Sequence, residues 1–230
     1  MAAPQPIRCS AIYAYHLREG ATLHNLHGWR HPLHYRPLDE ERALAHDKAV
    51  LVDISPTWKL DVLGVDPVAQ LKMHSSSSAD MCPGELRTIY PVAFAALAPD
   101  QLFVRTAPEA SDTLSLKLLQ EAGLYKAVTF DVSAQYTALA LVGPKSPAIL
   151  SHLTPLDLAQ LQPSGAVVGR LGRVSARFLR FASNNYIVVY EIYVTRSLGE
   201  YVWELILNVG RDYGLSLAGF NLWQEIMQEG

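Results

Sequence analysis

Cysteine is scarce in this chain. Its 230 residues include two, Cys9 and Cys82, far apart. Without a CxxC pair, both a disulfide framework and a paired-cysteine metal site are excluded, and a reduced compartment fits that usage. Long apolar runs are missing as well. None is of membrane-spanning length, and the opening MAAPQPIRCSAIYAYHLREG holds no apolar core of signal-peptide size. The expected location is therefore cytoplasmic, with no membrane partner. A surplus of one charge is also absent. Charged residues are 18% of the chain and the formal net charge is −3, which excludes the basic face that nucleic acid requires. Neither GxGxxG nor a Walker loop occurs, so the usual phosphate cradles are lacking. No repeat of solenoid period is present.

What is present is a hydrophobic content of 50% on a length that suits one large domain or two small ones, either able to bury a core. Residues 1–37 read as irregular, rich in Pro, His and Tyr. PLDEERALAHDKA follows as a helix over about 39–48, with Asp39 as N-cap and acids in its first turn. VLVDI and WKLDVLG read as strands joined around Ser55-Pro56, and Asp66-Pro67 opens a short helix leading to the polar loop SSSSADMCPG. ELRTIYPVAFAAL and QLFVRTA read as strands, and PEASDTLSLKLLQEAG as an amphipathic helix with Gly123 at its C-terminal cap. AVTFDVS and YTALALVG are further strands, and AILSHL a short helix. SARFLRFAS and NYIVVYEIYV form an antiparallel hairpin around residues 183–185. SLGEYVWELILNVGRDYG is a helix with a Ser197–Glu200 capping box, and a last helix covers about 220–228. Strands and helices mixed with hairpins favour an α+β fold over a doubly wound parallel sheet.

Two groups of residues invite chemistry. His24, His27, His31 and His34 crowd into HNLHGWRHPLH. Imidazole ligates transition metals, but Gly28 and Pro32 interrupt the segment, and no HExxH, Cys or Asp completes a set. No metal centre is expected there. No GxSxG occurs, and neither cysteine neighbours a histidine. The second group is a single acid. In YIVVYEIYV, period-two alternation puts Glu191 on one face with Ile187, Val189 and Tyr193. A buried carboxylate requires a partner. Three readings follow: an edge strand that leaves Glu191 wet, an ion pair with one of Arg170, Arg173, Arg177 or Arg180, or a ligand presenting paired N–H donors.

Several segments, in order, resemble the aminomethyltransferase (glycine cleavage system T-protein) superfamily of folate-binding proteins. GWRHPLHY at 28–35 is similar to the family's GW-x-MP-x-x-Y. EERALAHDKAVLVDISPTWKLDVLGVDPVAQL resembles its helix, (F/V)D(L/I)S, strand, G-x-D and helix. YTALALVGPKSPAIL resembles LA-x-(L/I)-x-GP-x-(A/S), and YEIYV at 190–194 resembles GFEI-(Y/F)-V. The set spans most of residues 20–220. The resemblance implies one folate-binding-type domain over 1–230 with mixed and antiparallel sheets around a central cavity. It implies tetrahydrofolate as cofactor, with Glu191 holding the pterin ring and His31 standing where the family commonly has a cavity-lining methionine.

The departures set the functional expectation. The family's GG-x-x-DD hairpin, whose aspartate positions the reacting folate nitrogen, is replaced by PGELRTIYPVAFAALAPDQLFVRTA, so no catalytic residue is assigned. YTGE before GFEI is replaced by FASNNYIV, and the late (A/L)RD-x-LR-x-E helix by GFNLWQEIMQE; the family's C-terminal barrel domain is absent from the sequence. VTRSLGEYVWELILNVGRDYG resembles the end of the gamma subunit of heterotetrameric sarcosine oxidase, with its RS-x-x-(D/E)Y-(L/V)W. Two functions are implied. One is a tetrahydrofolate-binding, aminomethyltransferase-like protein of glycine, sarcosine or methylated-amine metabolism. The other is a non-catalytic subunit among larger partners in a flavoenzyme, with Tyr201, Trp203 and Trp223 as candidates for an apolar contact surface.

Overall fold

The computed structural model describes residues 7–65, 81–108, 127–181 and 187–229. The chain opens with β1 (Arg8–Cys9), α1 (Tyr13–Arg18), β2 (Thr22–Leu26), β3 (Trp29–His34) and α2 (Leu38–Asp47). It continues through β4 (Val50–Asp53), β5 (Trp58–Gly64), β6 (Leu86–Ile89), β7 (Val92–Ala98), β8 (Gln101–Thr106) and β9 (Ala127–Asp131). Then come β10 (Tyr136–Val142), α3 (Ser146–Ser151), β11 (Gly165–Leu171), β12 (Val174–Phe181) and β13 (Val189–Thr195). The last elements are α4 (Gly199–Gly210), β14 (Ser216–Leu217) and α5 (Phe220–Glu229).

The fold is α+β, with three sheets. A small one runs β1-β3-β2, a six-stranded one β11-β12-β13-β10-β4-β14, and a five-stranded one β6-β7-β8-β5-β9. Pairing is antiparallel except for the short contacts β1 to β3 and β14 to β4. The two larger sheets face each other. Alternation in the six-stranded sheet sends Val50, Val52, Ala138, Ala140, Leu179, Val189 and Tyr193 into one buried cluster with Phe103, Ala93 and Ala95 of the five-stranded sheet. Its opposite face, Leu51, Leu139, Leu141, Tyr190, Ile192 and Val194, packs with Val202, Trp203 and Ile206 of α4. The outer face of the five-stranded sheet buries Leu60, Val62, Val92, Phe94, Leu102 and Val104. α5 closes one end of the inter-sheet layer with Phe220, Trp223 and Met227.

Several sequence expectations meet their elements here and several are corrected. The strands read from VLVDI, WKLDVLG, QLFVRTA, AVTFDVS and YTALALVG form where expected, and β12 pairs antiparallel with β13. The N-terminal segment is not irregular: β2 and β3 form an antiparallel ribbon that sets His24 opposite His31. The N-cap of α2 is Pro37, not Asp39, and no side chain caps it. Glu41 instead reaches back and accepts from the amides of Tyr35, at 2.7 Å, and Arg36, at 3.2 Å. The capping box on α4 does not form either. Ser197 lies within a single 3-10 turn, Arg196–Leu198, and Leu198 is the N-cap. The helices expected after Asp66-Pro67 and over PEASDTLSLKLLQEAG, with most of the serine-rich loop and the turn around residues 183–185, lie outside the described residues.

Candidate functional site

β13 is the third of six strands, hydrogen-bonded to β12 on one side and β10 on the other. The edge-strand reading of Glu191 is thereby overturned. Its side chain points into the inter-sheet layer and is fully buried. The partner is an arginine, but none of those gathered at 170–180. Arg105 crosses from β8 in the opposite sheet. Its Nη2 donates to Glu191 Oε1 at 2.8 Å and its Nε to Oε2 at 3.2 Å. Trp223 Nε1 donates to Oε1 at 3.2 Å, and the Tyr193 hydroxyl donates to Oε2. Four N–H or O–H donors thus converge on one fully buried carboxylate, which strengthens each bond.

The guanidinium is held by more than charge. Its carbon lies 5.2 Å from the Phe181 ring centroid and 5.1 Å from that of Trp223. Burial would lower the Arg105 pKa, but Glu191 outweighs it and the net shift is upward. Burial, then Glu191, pushes the Tyr193 phenol well above its ordinary value, so it remains a donor. One guanidinium nitrogen, Nη1, is buried without a hydrogen-bond partner among the described residues.

Of the 170–180 group, Arg177 pairs with Asp61 across the same layer, Nη1 to Oδ1 at 2.6 Å and Nη2 to Oδ2 at 2.9 Å. Arg180 donates to the carbonyls of Ala159 and Leu161. Arg170 and Arg173 are exposed. The two inter-sheet pairs are connected. Arg177 stacks on Phe103 at 4.9 Å, and Phe103 meets Tyr193 edge-on at 4.8 Å.

His31 lies on β3 and is fully buried, not in a loop. Its Nε2 donates to the Asp53 carbonyl at 2.6 Å, which fixes the tautomer and leaves Nδ1 without a hydrogen-bond partner among the described residues. Desolvation lowers its pKa to about 4, so the ring is neutral. Beside it His16 bridges Asp53 Oδ2, at 2.9 Å, and the Tyr35 hydroxyl, at 2.6 Å. Burial raises the Asp53 pKa, but the His16 hydrogen bond and the nearby His31 and His16 outweigh it and hold the carboxyl well below its usual range. Lys59, paired with Arg105 across β5 and β8, is buried with Nζ donating to the carbonyls of Ser55, at 2.9 Å, and Thr57, at 2.6 Å. Desolvation depresses its pKa to about 7.

Glu191 and His31 thus occupy two adjoining clusters rather than one contact set. The link is aromatic: His31 meets Phe220 at 5.4 Å, and Phe220 meets Trp223, a Glu191 donor, at 5.0 Å. Sequence reading missed Arg105, Lys59, Asp53, His16 and the role of Trp223. The signal was there for two of them. Phe103 and Arg105 alternate in QLFVRTA, and Lys59 and Asp61 alternate in WKLDVLG, so each strand carried charge on its inward face. Trp203 and Trp223 are fully buried, which removes them from any contact surface and leaves Tyr201, at 39% exposure.

Known proteins place the fold. The GCVT N-terminal domain family matches residues 12–229. An aminomethyltransferase of Moorella thermoacetica is 26% identical over 227 residues, covering 93% of this chain and 61% of its own. One from Streptomyces avermitilis is 28% identical over 226 residues, covering 93% and 60%. The 4-methylaminobutanoate oxidase (formaldehyde-forming) of Paenarthrobacter nicotinovorans is 23% identical over 204 residues, 83% of this chain but 24% of that protein. The chain spans about three fifths of the length of the aminomethyltransferases it matches. Among solved structures, the glycine cleavage system aminomethyltransferase T of Bartonella henselae superposes with a TM-score of 0.79 at 19% identity, over 96% of this chain and 62% of that one. A chain of the heterotetrameric sarcosine oxidase of Corynebacterium sp. U-96 superposes at 0.60 and 20% identity, over 73% of this chain and 86% of that one. With nearly its whole described length matched, this chain belongs to the GCVT N-terminal domain family of aminomethyltransferase-like proteins.

Proposed function

We propose that this protein serves the one-carbon metabolism of glycine, sarcosine or a similar methylated amine through a tetrahydrofolate site anchored by Glu191. One observation carries the reading. A fully buried carboxylate faces a flat group with adjacent N–H donors, here the guanidinium of Arg105, in contact with the rings of Phe181 and Trp223. The aminopyrimidinone edge of tetrahydrofolate is such a group. His31 contributes the wall behind the site through Phe220. The β6–β7 hairpin carries no aspartate, so transfer of the one-carbon unit by this chain alone is weak, resting on positioning without a reactive carboxylate. Titration calorimetry with tetrahydrofolate tests the site. Micromolar binding, with the pterin edge displacing Arg105 from Glu191, is expected, and Glu191→Gln weakens it about tenfold or more, the cost of a charge-assisted pair. No heat from folded wild-type protein sinks it.

A second reading has its own support. Arg105 already engages both oxygens of Glu191, and the fold superposes on a chain of a heterotetrameric sarcosine oxidase. In that reading the chain is a non-catalytic, gamma-type subunit of a similar flavoenzyme, and folate affinity is not its purpose. Size-exclusion chromatography of natively extracted protein then shows co-elution with larger flavin-bearing subunits; a stable monomer argues against it.

A further inference from the structure

We infer that Arg105 is a built-in occupant of the Glu191 seat, standing where a flat ligand with two adjacent N–H donors would bind. The inference uses the same seat as the proposed function but does not depend on tetrahydrofolate being its ligand.

The donor pattern comes first. Arg105 presents Nε and Nη2 side by side to the two oxygens of Glu191, at 3.2 and 2.8 Å. Guanidines, amidines and 2-aminopyrimidin-4-ones present the same N–H, C, N–H edge, so a carboxylate receives all of them in one geometry. The surroundings come second. The guanidinium lies about 5 Å from the rings of both Phe181 and Trp223, as a planar heterocycle would. Phe181 and Trp223 come from β12 and α5, neither next to β8 in its sheet. The path comes third. Arg105 reaches Glu191 from the opposite sheet, backed by its cross-strand neighbours Lys59 and Ala93. It enters the seat across the layer where a ligand would lie, and Tyr193 and Trp223 donate to the same carboxylate beside it.

Stability alone does not account for the arrangement. A buried ion pair recovers little beyond its own desolvation cost, and this one leaves Nη1 buried with no hydrogen-bond partner among the described residues. An arginine held only to neutralise Glu191 is expected to have each nitrogen hydrogen-bonded, as most buried polar groups are. An arginine in a ligand's place keeps the ligand's two contacts and strands the third nitrogen. The consequence is specificity by occupancy: the wild-type seat excludes small N–H donors, and removing the Arg105 side chain creates a site for them.

The experiment compares wild type, Arg105→Ala and Arg105→Ala with Glu191→Gln, using methylguanidinium and isocytosine as probes in calorimetry and thermal unfolding. Arg105→Ala is expected to bind isocytosine at least about tenfold tighter than wild type, and the added Glu191→Gln to remove about tenfold or more of that affinity. The melting midpoint of Arg105→Ala rises with either probe, while that of wild type does not move. Arg105→Ala with a native near-ultraviolet dichroism spectrum that takes up neither probe overturns the inference. Should Arg105→Ala be insoluble, Arg105→Ser vacates the same slot with a short polar side chain, and the same uptake or its absence decides. Tetrahydrofolate titrated in parallel separates the two ideas. Probe binding by Arg105→Ala with no tetrahydrofolate binding by either protein upholds occupancy and removes the folate reading. Equal tetrahydrofolate affinity in wild type and Arg105→Ala overturns occupancy instead.

Discussion

At the scale of single residues, burial decides which charges matter. Glu191 and Arg105 have no access to solvent, so removing one partner strands the other. Arg105→Leu or Glu191→Leu alone is expected to cost about 3–5 kcal/mol in urea unfolding, while the double replacement recovers most of that loss. The need of Glu191 for a partner was legible in the alternation of YIVVYEIYV. The identity of that partner was not, because 86 residues separate the pair in sequence and only the packing of two sheets brings them together. His31 makes a second residue-scale prediction. Its folded pKa, about 4, lies below the ordinary imidazole value of 6.5, so the unfolded chain binds more protons between those values. Stability therefore rises with pH from about 4 to 6.5 and is independent of His31 above that, a gain of roughly 3 kcal/mol. Asp53 acts in the same direction at the acid end, since the stability that its depressed pKa contributes is lost as the carboxyl protonates. His31→Met is expected to flatten the slope between pH 4 and 6.5 in urea titrations, which a purely steric role for His31 would leave in place.

At the scale of elements, the strands were legible because their faces alternate, and the helix starts were not because tertiary partners replaced the local caps. Glu41 shows why. The sequence pattern offered Asp39 as a cap, yet Glu41 uses Oε1 for the amides of Tyr35 and Arg36 and Oε2 for the amide of Gly219, at 3.0 Å. One carboxylate therefore ties the end of β3 to the start of α5, an arrangement no local motif encodes. Gly219 is required there by space. A Cβ on it would lie 1.9 Å from the Leu33 carbonyl oxygen and 2.3 Å from the His34 nitrogen, both backbone atoms that cannot swing aside. Gly219→Ala is expected to cost about 3 kcal/mol and to displace α5. Because α5 carries Trp223 to Glu191, the same variant should also shift the tryptophan emission of the folded protein. Destabilisation without a fluorescence change would mean that the strain is absorbed before the helix.

At the scale of the whole molecule, two reciprocal pairs clamp the sheets. Arg105 of the five-stranded sheet reaches Glu191 of the six-stranded one, and Arg177 of the six-stranded sheet reaches Asp61 of the five-stranded one. The first pair is fully buried, whereas the Arg177 and Asp61 side chains retain 12% and 11% exposure, so the second sits nearer the rim. α+β architecture and the succession of most strands along the chain followed from pattern and motif, but this closure did not, because it depends on the register between two sheets rather than within either. The clamps share a wall: Arg177 rests on Phe103, Phe103 meets Tyr193, and Tyr193 donates to Glu191. Groups in one contact network are not energetically independent. Asp61→Asn and Glu191→Gln, measured singly and together, should therefore show an interaction energy of about 0.5–1.5 kcal/mol in urea unfolding. The sign is expected to make the double variant less costly than the sum, because loosening either clamp releases the Phe103–Tyr193 contact on which the other depends. Strict additivity within about 0.3 kcal/mol would mean that each pair is held by its own strands alone, and that opening the Glu191 seat need not disturb the rim.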